Sequence, residues 1–218
     1  MPIKFEALPV KPPDVKKVYL GDDLVYQDFS LPDGYTEVEY ITSAGAAFAS
    51  SGVKIDQDCE IRAKMRRTTS NYNMYGYGAT NSDNTASVTH YLTSAGVNQR
   101  FGAQTASLQS SLFGLNADYT IIHNGQGFNL NGTLYPYASE VADFITPYPL
   151  CIMACRNGQS TYNSNKYRGR LYYFRILKNR EYLFYGIPAK NSGGTYGLYD
   201  AVGKRFITSQ TATAFGGA

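Results

Sequence analysis

No tryptophan occurs among the 218 residues, and charged residues make up only 17% of them. The net charge is a modest +3. No Lys/Arg block interleaves with aromatic residues, so a nucleic-acid surface is not indicated. Arg66-Arg67, the one adjacent arginine pair, reads as a solvated strand end. No apolar run reaches the ~20 residues that a membrane helix needs. The opening MPIKFEALPVKPPD lacks the apolar core of a secretory signal. The chain is therefore expected to fold in the cytoplasm where it is made, without a membrane partner.

Cysteine is scarce as well: Cys59, Cys151 and Cys155 are an odd number without framework spacing. Cys151 and Cys155 fall in a run that reads as strand. A rise of about 3.3 Å per residue puts their Cα atoms roughly 13 Å apart, and a disulfide needs less than about 7 Å. They read as small buried hydrophobes. Only His90 and His123 could complete a zinc site, and neither stands at ligand spacing. No metal and no cofactor is expected.

What the chain does hold is 20 tyrosines, 11 phenylalanines and 21 glycines. That composition suits many strands joined by tight turns. Residues 169–190, GRLYYFRILKNREYLFYGIPAK, read as the central hairpin. Its β-branched and aromatic content favours strand over two helical turns. Tyr172, Phe174 and Ile176 are expected to share one face of its first strand. Leu183, Tyr185 and Ile187 share a face of the second, which Pro188 should close. The turn is Lys178-Asn179-Arg180-Glu181.

Elsewhere, residues 35–41 alternate as one half-buried strand. In DCEIRAKMRR, Cys59, Ile61, Ala63 and Met65 should face in. Weaker strands are expected near residues 74–79, 87–92, 98–104 and 150–155. Two Asn-Gly pairs, Asn124-Gly125 and Asn131-Gly132, predict a three-stranded meander, because both residue types tolerate positive φ. Residues 196–208 read as two short strands around Val202-Gly203. The fold class is all-β: a two-sheet antiparallel jelly-roll sandwich over residues 31–218.

Residues 1–30 read as a separate appendage. Pro9, Pro12 and Pro13, with Pro2, impose an extended course on the first 13 residues. Val18, Tyr19, Leu24 and Tyr26 belong to a small hairpin that is marginal alone. Pro9, Pro12, Pro13, Val18, Tyr19, Leu24 and Tyr26 are therefore the candidates for anchoring to a partner chain.

Five separated segments, LPDGYTEVEYI, FNLNGTLY, GRLYYFRI, FYGIPAK and YGLYDAVGKRFIT, resemble, in the same order, a group of concanavalin A-like (laminin-G-like) domains. Such domains are frequent in bacteriophage virion proteins and in bacterial surface proteins, and VKKVYLGDDLVYQ resembles a hairpin near the start of phage virion proteins. The resemblance covers residues 31–210. The family usually carries an aromatic-Ile-Asp-Thr-Gly stretch after the first strand; AAFASSGVKI stands there instead. The resemblance implies a lectin-like sandwich that presents loops. It also implies a virion structural protein, a capsid decoration or a tail or fibre component, that joins other virion proteins through residues 1–30. The alternative is a carbohydrate-binding adhesin or host receptor-binding module whose partner is a bacterial surface glycan. A homo-oligomer in the particle, assembled in the host cytoplasm, is expected.

An enzyme is not expected. Hydrolases of this fold carry Glu-x-Asp-x-x-Glu on one strand, and Glu140-Val141-Ala142-Asp143 lacks the closing glutamate. Glu37 and Glu39 read as a solvated face. Asn81-Ser82-Asp83-Asn84 offers too few oxygens for calcium, which takes six to eight, and a turn accounts for it. For sugar binding, aromatic rings stack on pyranose faces while amides read hydroxyls. Tyr72, Tyr75, Tyr77, Tyr162, Asn163 and Asn165 have that composition and are the candidate ligand-binding residues.

Overall fold

The computed structural model describes residues 29–70, 73–158 and 165–218, together with the backbone of residues 17–20 and 23–27. The chain divides into two compact units, Met1–Ser30 and Leu31–Ala218. In the first, β1 (Lys17–Leu20) pairs antiparallel with β2 (Asp23–Gln27), Leu20 opposite Asp23. Pro9, Pro12 and Pro13 lie outside the described residues, as do the side chains of Val18, Tyr19, Leu24 and Tyr26.

The second unit begins with β3 (Tyr35–Glu37), β4 (Ile41–Ala44), β5 (Ala49–Ser50), β6 (Cys59–Arg67) and β7 (Met74–Ala79). Next come β8 (Ser87–Thr93), β9 (Gly96–Gly102), β10 (Gln104–Leu108), β11 (Asp118–Asn124), β12 (Gly127–Leu130) and β13 (Thr133–Pro136). It ends with β14 (Cys151–Ile152), β15 (Arg168–Lys178), β16 (Glu181–Asn191), β17 (Tyr196–Asp200), β18 (Arg205–Ile207) and β19 (Gly216–Gly217). A 3-10 turn at Ser110–Leu112 is its one named helical element among the described residues. All strand pairs are antiparallel. One sheet runs β10-β9-β8-β7-β14-β5; the larger runs β13-β12-β11-β6-β15-β16-β17-β18, with β3, β4 and β19 attached to it. The two sheets close over one apolar core that includes Ile61, Met65, Phe101, Phe128, Phe174 and Phe184. This is the all-β jelly-roll sandwich that the sequence implies.

Strand β6 carries the alternation read from the sequence: Cys59, Ile61, Ala63 and Met65 are buried and their neighbours half-buried. Arg67 continues the inward set and is only 3% exposed, so it is not a solvated end. Arg66 faces out and pairs with Asp118 at 2.5 Å. The central hairpin turns on Asn179-Arg180, both at positive φ (49° and 68°), which suits a tight two-residue turn. Of the two Asn-Gly pairs, Asn131-Gly132 forms the turn, with φ of 51° and 89°. The other is displaced: Asn124 ends β11 opposite Gly127, and its side chain accepts the Gln126 N–H at 3.0 Å.

Several expectations are corrected. Tyr172 does not share the buried face of Phe174 and Ile176, because the β15–β6 register shifts between Leu171 and Tyr173. That bulge turns Tyr172 outward, where the Lys64 ammonium lies 4.6 Å from its ring centre. Pro188 does not close β16. Pairing with β15 stops at Gly186, and pairing with β3 begins at Ala189. Pro188 occupies the gap, where its missing N–H has no ladder to break, and its carbonyl accepts Val38 N–H at 3.0 Å. Residues 35–41 divide into β3 and the start of β4. The expected strand at 98–104 is a hairpin, β9 and β10, folded at Gly102 (φ 60°) and Ala103.

Candidate functional site

The strongest candidate lies on the outer face of the smaller sheet. Period-two geometry sends Val88, His90 and Leu92 of β8, and Val97, Gln99 and Phe101 of β9, into the core. The intervening residues face away from it. Register aligns them in rows across the strands: Tyr75, Tyr91, Asn98 and Ser107 in one, and Thr89, Arg100 and Thr105 in the next. With Thr80 and Asn84 at one rim, they line a hollow of about 380 Å³.

Tyr75 and Tyr91 stack, with ring centres 4.2 Å apart and planes 20° from parallel. Each ring covers one face of the other. Burial pushes the Tyr75 phenol well above its usual range; Cys155 and Tyr91 add to that, and Arg100 opposes it. Tyr75 is therefore a neutral hydroxyl near neutral pH. Ser107 donates to Asn98 Oδ1 at 3.1 Å, which orients the amide. Thr80, Asn81 and Asp83 spend their oxygens on the loop itself: Thr80 Oγ1 meets Ser87 Oγ at 2.6 Å, and Asp83 accepts from the Thr85 N–H and hydroxyl at 3.1 and 2.7 Å. These bonds hold the Asp83 carboxyl below its ordinary range. Asn81-Ser82-Asp83-Asn84 is thus a self-bonded turn.

Of the residues singled out from sequence, Tyr75 lines the hollow, and its N–H donates to the Asn165 carbonyl at 2.9 Å, so these two are neighbours. Tyr72, Tyr162 and Asn163 lie outside the described residues. Tyr77 is a correction. It is 0% exposed and belongs to the core, where its hydroxyl meets His123 Nδ1 at 2.9 Å. Residues two apart on a regular strand share a face. Here the β7–β8 register shifts between Tyr75 and Tyr77, so one goes out and the other in. Gly76 occupies the bulge, where a Cβ would run into the His90 ring. Thr89, Tyr91, Asn98, Arg100, Thr105 and Ser107 were not singled out. Their polar-apolar alternation with Val88, Leu92, Val97 and Phe101 was the signal available.

Behind the hollow, these strands and the facing sheet together bury polar groups. His123 Nε2 meets Tyr137 Oη at 2.6 Å, and His90 Nδ1 meets the Gln99 amide at 2.8–3.0 Å. Burial lowers His90 from 6.5 to about 4 and His123 to about 3, so both are neutral in the fold. The three cysteines are buried and free. Burial pushes the Cys59 and Cys151 thiols up to about 12. Among the described residues, no three His, Cys, Asp or Glu side chains converge as a metal site would need, and no helix is long and apolar enough to cross a membrane.

No family model matches the sequence, and no curated protein matches it. Among solved structures the chain is similar to domains LG4-5 of the mouse laminin alpha1 chain, at 16% identity and a TM-score of 0.49, over 67% of this chain and 44% of that one. It is also similar to the full extracellular region of zebrafish Gpr126/Adgrg6, at 14% identity and a TM-score of 0.48, over 85% of this chain and 26% of that one. The chain spans less than half the length of either. The fold of the second unit is a two-sheet antiparallel sandwich.

Proposed function

We propose that residues 31–218 form a glycan-binding module and that the hollow on the outer face of the smaller sheet is its site. The observation that carries this is the stacked pair Tyr75–Tyr91, lining the hollow in one row with the polar Asn98 and Ser107. A pyranose presents an apolar C–H face and a rim of hydroxyls. An aromatic face takes the first, while Asn98, Thr89 and Thr105 reach the second. The groups stand on strands rather than on loops, so the geometry is set before a ligand arrives. No catalytic pair of carboxylates lines the hollow, and the proposed role is binding without turnover. Glycan-array screening followed by NMR titration tests this. Binding that shifts amides of β8–β10 and is lost in Tyr91→Ala supports it; silence across bacterial surface glycans overturns it.

A second reading concerns attachment. It is favoured by the division of the chain at Ser30 and by the two-stranded ribbon of the first unit. Such a ribbon is marginal by itself and gains stability from a partner. In this reading residues 1–30 fasten the module to a phage particle, which displays it in several copies toward the host surface. Deleting residues 2–30 should leave a folded domain that no longer joins particles. Incorporation of the truncated chain would remove this reading and leave the glycan site untouched.

A further inference from the structure

Arg100 sets the charge of the hollow. Its guanidinium is the one ionic group among the nine lining residues, and none of them is a carboxylate. Several other cations of this unit are matched. Arg66 and Lys64 share Asp118, Lys178 meets Asp56, and Arg205 meets Asp200. Arg170 and Arg175 lie over tyrosine rings at 4.2–4.6 Å. Among the described residues, Arg100 has no ion pair, side-chain hydrogen bond or ring partner. It is half-buried, with Thr89 and Thr105 opposite it on the neighbouring strands. A cation partly withdrawn from water and left without a counter-charge favours an anionic ligand.

We propose that the hollow selects a pyranose carrying a carboxylate, a uronic acid residue, with Arg100 as the group that recognises its charge. The proposal rests on the glycan reading above and names the class of sugar. The guanidinium fork matches a carboxylate in two parallel hydrogen bonds, a geometry that a lysine ammonium lacks. The neutral Tyr75 hydroxyl remains a donor beside it, and the Tyr91 ring takes the apolar face of the sugar. A neutral sugar would meet the same ring and amide but would leave the guanidinium without a counter-charge.

The test is calorimetric titration of the full chain with a galacturonic acid tetramer, a galactose tetramer and a galactose tetramer bearing sulfate esters. The uronate should bind about tenfold more tightly than the neutral tetramer. Arg100→Gln should erase that preference while leaving the thermal midpoint unchanged, and Arg100→Lys should restore only part of it. Raising the salt concentration should weaken the uronate and not the neutral sugar. Equal affinity for uronate and neutral tetramers overturns this proposal and leaves the glycan site standing. Tighter binding of the sulfated tetramer than of the uronate overturns the carboxylate assignment. No heat with any of the three overturns both.

Discussion

The two faces of the smaller sheet come from the same strands and from alternating residues, yet they treat polar groups in opposite ways. On the inner face Tyr77, His90 and Gln99 are removed from water; His90 bonds Gln99, and Tyr77 bonds His123 of the facing sheet. On the outer face Asn98, Arg100 and Thr105 meet water and bond little of the protein. Inward polar groups need partners within the fold, because burying an unpartnered one costs on the order of 1–3 kcal/mol; His90 Nε2 is the exception on this face. Outward ones carry no such obligation and remain available to a ligand. Specific packing therefore belongs to one side and recognition to the other.

Substitutions separate the two faces, and the largest effect belongs inside. Phe128 is fully buried and packs against His90, Phe113 and His123. Phe128→Ala should cost about 3–5 kcal/mol in urea unfolding, and a loss below about 1 kcal/mol would mean that this core is not close-packed. Acid acts on the same network. His90 lies at about 4 in the fold, below its ordinary 6.5, so stability is fully present above pH 6.5 and is lost as pH falls toward 4. The loss is on the order of 3 kcal/mol by linkage. His123, at about 3, extends it further down. The groups facing these two rings are Gln99, Tyr77, Tyr119 and Tyr137, with no carboxylate among those contacts. Thermal midpoints measured between pH 8 and 4 check the sign, and a chain that gains stability on acidification would contradict it.

Gly76→Ala stands between the faces. The added methyl meets a buried ring that has little room to move, so about 1–3 kcal/mol of stability should be lost, and Tyr75 should be displaced with it. Wild-type stability in that variant would mean that the bulge is not constrained by His90. The smallest effect belongs outside. Tyr91→Ala should change stability by no more than about 0.5 kcal/mol while abolishing glycan binding, a dissociation that no inner residue should reproduce.

Much of the architecture was legible in the residues. The alternation of β6, the Asn179-Arg180 turn and the Asn131-Gly132 turn follow from side-chain period and from tolerance of positive φ. The failures share a cause. Tyr172 was placed by strict alternation and Tyr77 by the composition of its stretch, and each adjoins a bulge, which inserts a residue and reverses the faces beyond it. A bulge is set by the partner strand and by what packs beneath it, such as the His90 ring under Gly76, so local pattern does not reveal it. Pro188 was misjudged for a related reason: whether a missing N–H matters depends on which strand lies beside it. The site was half legible. Aromatic-rich loops drew attention to Tyr75, whereas Tyr91, Asn98 and Arg100 gain their significance from cross-strand register, which brings together residues up to 25 positions apart in sequence.

The pairing of β19 with β4 sets Gly216 opposite Thr42 and Gly217 opposite Ile41. The last strand of the sandwich thus runs beside its second within one sheet. A brief glycine-serine bridge could join residue 218 to residue 31, and the ring could be reopened at the exposed Asn131-Gly132 turn. Such a permuted chain should reach the same native state, and it would carry the sugar-facing surface on a scaffold whose new termini emerge at a different corner.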